Sequence, residues 1–184
     1  MTRFATRMMT AALIAGALPV GAALAQDMMT PTHAVGHDAQ AVLATADGKQ
    51  VGAVLIHPTH AGLRLTIKAY GLAPGEHGIH IHAVGKCEAP GFTTAGGHWN
   101  PSMHQHGKLN PMGPHQGDLP NLVIGEDGSG TLSTIIEGAT LDGLMDADGS
   151  AVVVHDKADD LKTDPSGNSG ARIACGVVMA KARM

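Results

Sequence analysis

Residues 77–90 read HGIHIHAVGKCEAP, and the alternation inside this stretch sets the fold class. In an extended strand, neighbouring side chains point to opposite faces. Ile79 and Ile81 therefore share one face, and His80 and His82 share the other. Such a strand buries its isoleucines in a core and holds two imidazoles side by side, aimed outward. Taken alone, the pair reads as two solvated surface histidines, and the rest of the chain has to decide whether they do more.

Short runs of the same β type recur along the sequence: AQAVLATA, QVGAVLIH, LRLTIKAY, HGIHIHAV, NLVIGE, SGTLSTII, GSAVVVHD and CGVVMAK. They are bounded by Gly, Pro, Asp and Asn, with turn signals at Ala46-Asp47-Gly48-Lys49 and Glu126-Asp127-Gly128-Ser129. Helix signals are nearly absent. About eight strands in this arrangement predict an all-β antiparallel sandwich or barrel. Two connections are too long for turns, from about Cys87 to Pro120 and from His155 to Cys175. Loops of this length inside a compact domain are functional or disordered. These two carry almost every residue with chemical interest.

The chain has 184 residues and a formal net charge of −4, with no polybasic block, which argues against nucleic acid or an anionic membrane surface as partner. Aromatic residues make up only 2% of it, so the stacking platforms of single-strand binding are missing as well. Residues 1–25 read as a signal peptide: Arg3 and Arg7 precede an apolar run, and Ala23-Leu24-Ala25 forms an A-x-A cleavage site. The apolar run is short for a membrane span, so no stable membrane association is expected after cleavage. Residues 26–38 form a His/Met-containing tail, and residues 39–184 form one domain. The tail carries Met28, Met29, His33 and His37, which suit soft-metal capture or an incidental exported tail. Two cysteines, Cys87 and Cys175, in an exported chain make one disulfide the default over two separate thiols.

The twelve histidines require an explanation. The first long segment, GGHWNPSMHQHGKLNPMGPHQGDLPN, supplies His98, His104, His106, His115 and Asp118. Imidazole nitrogens with one carboxylate oxygen are what Zn²⁺ accepts in four-coordinate sites. AVVVHDKADDL adds His155 at a strand end. An imidazole-rich pocket suits copper, zinc or nickel, and tetragonal nitrogen ligation favours copper.

The stretches GEHGIHIH, GGHWNP, PHQGDLPN, VVVHDKADDL and GARIACGVV follow one another in this order. In them the chain, from roughly residue 40 to 180, resembles the bacterial exported (periplasmic) copper/zinc superoxide dismutases. The resemblance implies an eight-stranded Greek-key barrel whose two long loops carry the site. It implies copper held by His80, His82, His98 and His155, and zinc held by His98, His106, His115 and Asp118, with His98 shared as a bridge. Asp159 resembles a carboxylate that orients ligands of both metals, Arg172 an arginine beside copper, and Cys87 with Cys175 the family disulfide. The implied activity is dismutation of superoxide anion to dioxygen and hydrogen peroxide by a redox-cycling copper ion, in the periplasm. A homodimer is left open.

Family spacing favours His106 over its neighbour His104. His77 resembles a histidine that braces backbone, and His57 and His60 read as solvated hairpin residues. Lys157 and Lys162 suit either anion steering or a plain solvated surface. Two features depart from the common cytosolic form: a longer spacing from Cys87 to His98 and a shorter second loop. A non-catalytic copper/zinc carrier uses the same ligands and is the alternative. A copper-only dismutase fits less well with the full set His106, His115 and Asp118.

Overall fold

A computed structural model describes residues 38–181. The expected signal peptide, and the tail with Met28, Met29, His33 and His37, lie outside the described residues. The strands are β1 (Ala39–Ala44), β2 (Gln50–Thr59), β3 (Gly62–Ala69), β4 (Gly75–His77), β5 (Ile79–His82), β6 (Leu122–Ile124), β7 (Gly130–Glu137), β8 (Ala151–His155), β9 (Arg172–Val177) and β10 (Met179–Ala180). A four-residue helix α1 (Leu141–Leu144) and a 3-10 turn at Thr93–Ala95 are the helical pieces among them.

All eight expected stretches form strands, and two of them are divided. HGIHIHAV breaks at Gly78, whose N–H donates to the Lys157 carbonyl (2.8 Å) and whose carbonyl accepts from the His155 N–H (2.8 Å). CGVVMAK splits into the end of β9 and β10, and β9 starts earlier than expected, at Arg172. The second long loop is therefore shorter than it reads in the sequence, because its last residues already pair with β8.

The main sheet runs β5-β8-β9-β1-β2-β3-β7, with β10 paired to β1 and with β4 and β6 forming a separate pair. Every pairing is antiparallel. β1, β2 and β3 form a meander. β7 returns to lie against β3, and β9 returns to the other side of β1, which is Greek-key connectivity on a curled sheet.

Alternation does what the sequence predicts. In β3, Leu63, Leu65 and Ile67 are buried while Arg64 and Lys68 are exposed. Together with Leu43, Ile56, Ile79, Ile81 and Leu122 they fill the barrel. Each such side chain contributes roughly 1.5–3 kcal/mol by leaving water. β8 breaks the alternation, since all of AVVVH is buried. Val152 and Val154 face the main core. Ala151 and Val153 face outward and are covered by Phe92, Ala95, Cys175 and Cys87, a small apolar cluster that seats the first long loop on the sheet.

Candidate metal centre

The site assembles because the first long loop docks on the free edge of β5. Trp99 N–H donates to the Ile81 carbonyl (2.8 Å), Ile81 N–H to the Gly117 carbonyl (2.9 Å) and Gly117 N–H to the Trp99 carbonyl (2.8 Å). This edge pairing sets His98 opposite His82 and Asp118 opposite His80. Position 117 has to be glycine for so close an approach, as a Cβ there would lie 2.4 Å from the Ile81 oxygen. The covering loop also corrects the outward-facing reading of β5. His80 and His82 do point away from the core, yet they are 0% and 1% exposed.

His80, His82, His98 and His155 bring four ring nitrogens within 4.8 Å of one another. On three of them the other nitrogen is already committed to a group that can only accept. His80 Nε2 donates to Asp159 Oδ2 (2.7 Å), His82 Nδ1 to the Gly96 carbonyl (2.9 Å) and His155 Nδ1 to the Gly170 carbonyl (3.3 Å). An acceptor on one side fixes the tautomer and leaves a lone pair on the other side. The inward atoms, His80 Nδ1, His82 Nε2, His98 Nε2 and His155 Nε2, are buried without a hydrogen-bond partner in the protein. Leaving four buried polar atoms unsatisfied costs on the order of 1–3 kcal/mol each, so convergence of this kind points to a ligand. Burial is the main cause that pushes His80 down to about 3, His82 to about 2 and His155 to about 4. All three are thus neutral near pH 7, the form that ligates a metal.

The second set shares His98. Asp118 Oδ1 has His98 Nδ1 at 2.8 Å, His106 Nδ1 at 3.0 Å and His115 Nδ1 at 3.3 Å, and the Nδ1 atoms of His98 and His115 are 3.3 Å apart. Ligand atoms about 2.0 Å from a tetrahedral zinc ion lie about 3.3 Å from each other, so the four atoms have close to the required edges. Asp118 Oδ2 also accepts from the N–H groups of Gly107 (2.8 Å) and His115 (3.0 Å). Burial acts to raise the Asp118 carboxyl, but these hydrogen bonds and the facing histidines outweigh it and hold it below the usual range. Burial likewise acts against charge on His106, yet Asp118 and Asp159 on its two nitrogens raise it to about 9. Positive charge, proton or cation, is favoured at that point.

Asp159 joins the two sets. One oxygen faces His80 Nε2 and the other faces His106 Nε2 (3.0 Å), and both partners are fully buried. Asn121, which the sequence reading overlooked, clamps its backbone in both directions at 2.9 Å. Asn121 lies in PHQGDLPN, so the motif held the residue but not its role. Arg172 donates to the Phe92 and Gly96 carbonyls, each at 2.7 Å, and lines one cleft with His82, His98, His155 and Ser166. Cys87 and Cys175 are joined as a disulfide. Asp164, also overlooked, accepts from the His106 backbone N–H (2.5 Å).

Several histidines stay outside both clusters. His104 is exposed, with Nδ1 3.2 Å from the Pro114 carbonyl, and only His106 of the pair enters the site. His77 is buried and braces backbone as expected, between the carbonyls of His155 (2.7 Å) and Ala73 (2.9 Å). His57 lies within β2 rather than in the hairpin turn, and it faces Asp38 at 2.7 Å. Lys157 and Lys162 are exposed.

Residues 50–178 match the family described as copper/zinc superoxide dismutase (SODC). A superoxide dismutase-like protein, YojM of Bacillus subtilis, is 44% identical over 156 residues, covering 80% of this chain and 78% of the relative. The superoxide dismutase [Cu-Zn] of Caulobacter vibrioides is 42% identical over 147 residues, covering 76% and 84%. Among solved structures, the Cu/Zn superoxide dismutase of Brucella abortus superposes with a TM-score of 0.64 at 32% identity, covering 76% of this chain and 98% of that one. The chain belongs to the copper/zinc superoxide dismutase family. Its activity is the dismutation of superoxide, and copper and zinc are its metals.

Proposed function

We propose that His80, His82, His98 and His155 hold the copper ion, that His98, His106, His115 and Asp118 hold the zinc ion, and that His98 bridges them. The carrying observation is the set of four inward-facing, unpartnered nitrogens, three of them with tautomers fixed by acceptors on the far side. When bound, copper supplies the one-electron redox chemistry, and zinc in a closed four-ligand site supplies structure and positive charge. Everything else falls to the chain.

Arg172 places a permanent cation in the cleft lined by His82, His98 and His155, on a protein whose formal net charge is −4. Its guanidinium is pinned by the Phe92 and Gly96 carbonyls, which leaves its remaining donors to receive a small anion at fixed orientation. His98 lines the same cleft, and its Nε2, buried and unpartnered among the four converging nitrogens, is the atom suited to hold a proton and pass it to the reduced oxygen species. Two superoxide anions and two protons give one dioxygen and one hydrogen peroxide. Asp159 keeps His80 and His106, and through them both sets, in one arrangement.

The reading also includes export to the periplasm with removal of residues 1–25, and freedom from the membrane thereafter. N-terminal sequencing of protein from the periplasmic fraction tests this, and sedimentation separates a homodimer from a monomer. The test of the site compares metal content and dismutation rate for the wild type and His98→Ala. The wild type is expected to bind one copper and one zinc per chain, with rapid turnover. The variant is expected to lose zinc and most of the rate. Full turnover with both metals in His98→Ala would remove the bridge from the reading.

A further inference from the structure

We propose that Asp164 is a positioning residue for the zinc site, and that through it zinc binding fixes the part of the second loop that frames the substrate cleft. The inference rests on the assignment of zinc to His98, His106, His115 and Asp118. It starts from the outer nitrogens of the three histidines in that set. His98 turns Nε2 to the other metal set, and His106 turns Nε2 to the Asp159 carboxylate at 3.0 Å. His115 turns Nε2 to Asp164 Oδ1 at 3.7 Å, an ion-pair distance and not a direct hydrogen bond. The same Asp164 oxygen accepts the backbone N–H of His106 at 2.5 Å. One carboxylate thus contacts two of the ligand residues, although its side chain is 47% exposed and water competes for it. Acceptors on the outer nitrogens of ligand histidines orient the rings and raise their basicity, and losing one weakens metal binding by about 10–100-fold.

Asp164 does not act alone. Leu109 N–H donates to the Leu161 carbonyl (2.8 Å), and Asn110 Nδ2 donates to the Lys162 carbonyl (3.3 Å). Residues 161–164 are therefore laced to residues 106–110 of the first loop. The next residues, Pro165 and Ser166, line the cleft together with Arg172. A carboxylate that engages the zinc histidines at one end of this segment sets where the cleft residues begin at the other.

The test uses the full chain as wild type, Asp164→Ala, Asp164→Asn and His115→Ala. Zinc affinity is read by competition with a chromogenic chelator, and ligand geometry by the visible spectrum of Co²⁺ in the zinc position. Hydrogen exchange of residues 161–166 is followed with and without zinc. Asp164→Ala is expected to weaken zinc binding about tenfold, the low end for loss of an outer-nitrogen partner because the 3.7 Å contact is not a direct hydrogen bond, to change the Co²⁺ band intensities and to abolish the zinc-dependent protection of 161–166, with copper affinity within about threefold of wild type. Asp164→Asn keeps an acceptor for the His106 N–H but loses the charge facing His115, so it should fall between the two. Zinc affinity and Co²⁺ spectrum unchanged in Asp164→Ala, with zinc lost in His115→Ala, would overturn the role of Asp164 alone. Zinc binding unaffected by His115→Ala would instead overturn the zinc assignment beneath it. Equal losses of copper and zinc in Asp164→Ala would mark general collapse of the loop and also refute the positioning role.

Discussion

Replacing both cysteines, as Cys87→Ser with Cys175→Ser, should cost stability and catalysis by separate routes. The bridge spans 88 residues of sequence. The chain-entropy model for a loop of that length gives about 4–5 kcal/mol of stabilisation, an upper figure because a real unfolded chain is already restricted. With a urea slope of about 2 kcal/mol per molar, the unfolding midpoint of chelator-treated protein should fall by about 2 M. Removing metal first matters, since ligand binding adds its own stabilisation and would mask the difference. The catalytic route is local. The disulfide seats Phe92 and Ala95 over Val153 and Ala151, and the loop so held presents the carbonyls of Phe92 and Gly96. Those two oxygens fix Arg172, and the second also fixes the tautomer of His82. Once the bridge is gone, a fully metal-loaded variant should turn over superoxide about tenfold more slowly, as the arginine loses its two anchors. A midpoint shift below about 0.5 M together with an unchanged rate would show that the apolar cluster alone holds the loop, and the reasoning would fail.

Arg172→Ala should leave copper and zinc content intact, lower kcat/KM by about tenfold or more, and flatten the decline of rate with rising ionic strength; stopped-flow measurement at several salt concentrations checks this. Arg172→Lys keeps the charge but loses the fork that reaches Phe92 and Gly96, so only part of the rate should return. Asp159→Asn should weaken zinc binding by about 10–100-fold and loosen copper as well, because its two oxygens serve one histidine of each set; chelator competition for the two metals separately is the readout. Chelator-treated protein should be most stable near pH 6–7. Below pH 6.5 the unfolded chain takes up protons that His80, His82 and His155, lowered to about 3, 2 and 4, refuse in the fold, so stability falls with pH. Above pH 6.5 the contribution of His106, raised to about 9, is lost as pH rises toward that value. Melting temperature against pH should therefore decline on both sides, and a profile flat from pH 5 to 9 would refute it.

The limits of sequence reading here are physical. LRLTIKA declares its two faces because a strand has period two and one face meets water, so β3 is legible residue by residue. AVVVH declares a strand but not what covers its outer side, since that cover is a loop cluster built from residues 87–95 and Cys175. The same holds for His80 and His82. Parity gives their face correctly and says nothing of a roof, which exists because backbone groups of residues 97–99 and 117 take the edge of β5. Side chains able to bind metal stand out in a sequence because few residue types can do it. Backbone carbonyls do not stand out, as every residue has one. Gly96 shows the consequence: without a side chain it fixes both an imidazole tautomer and a guanidinium, and no motif announces it. Asp164 was hidden for a related reason, since among sixteen acidic residues only its neighbours in space, His106 and His115, distinguish it. Ligand identity is written in side chains, whereas ligand orientation is written largely in backbone, and in this centre it is orientation that makes four imidazoles point one nitrogen each at one spot.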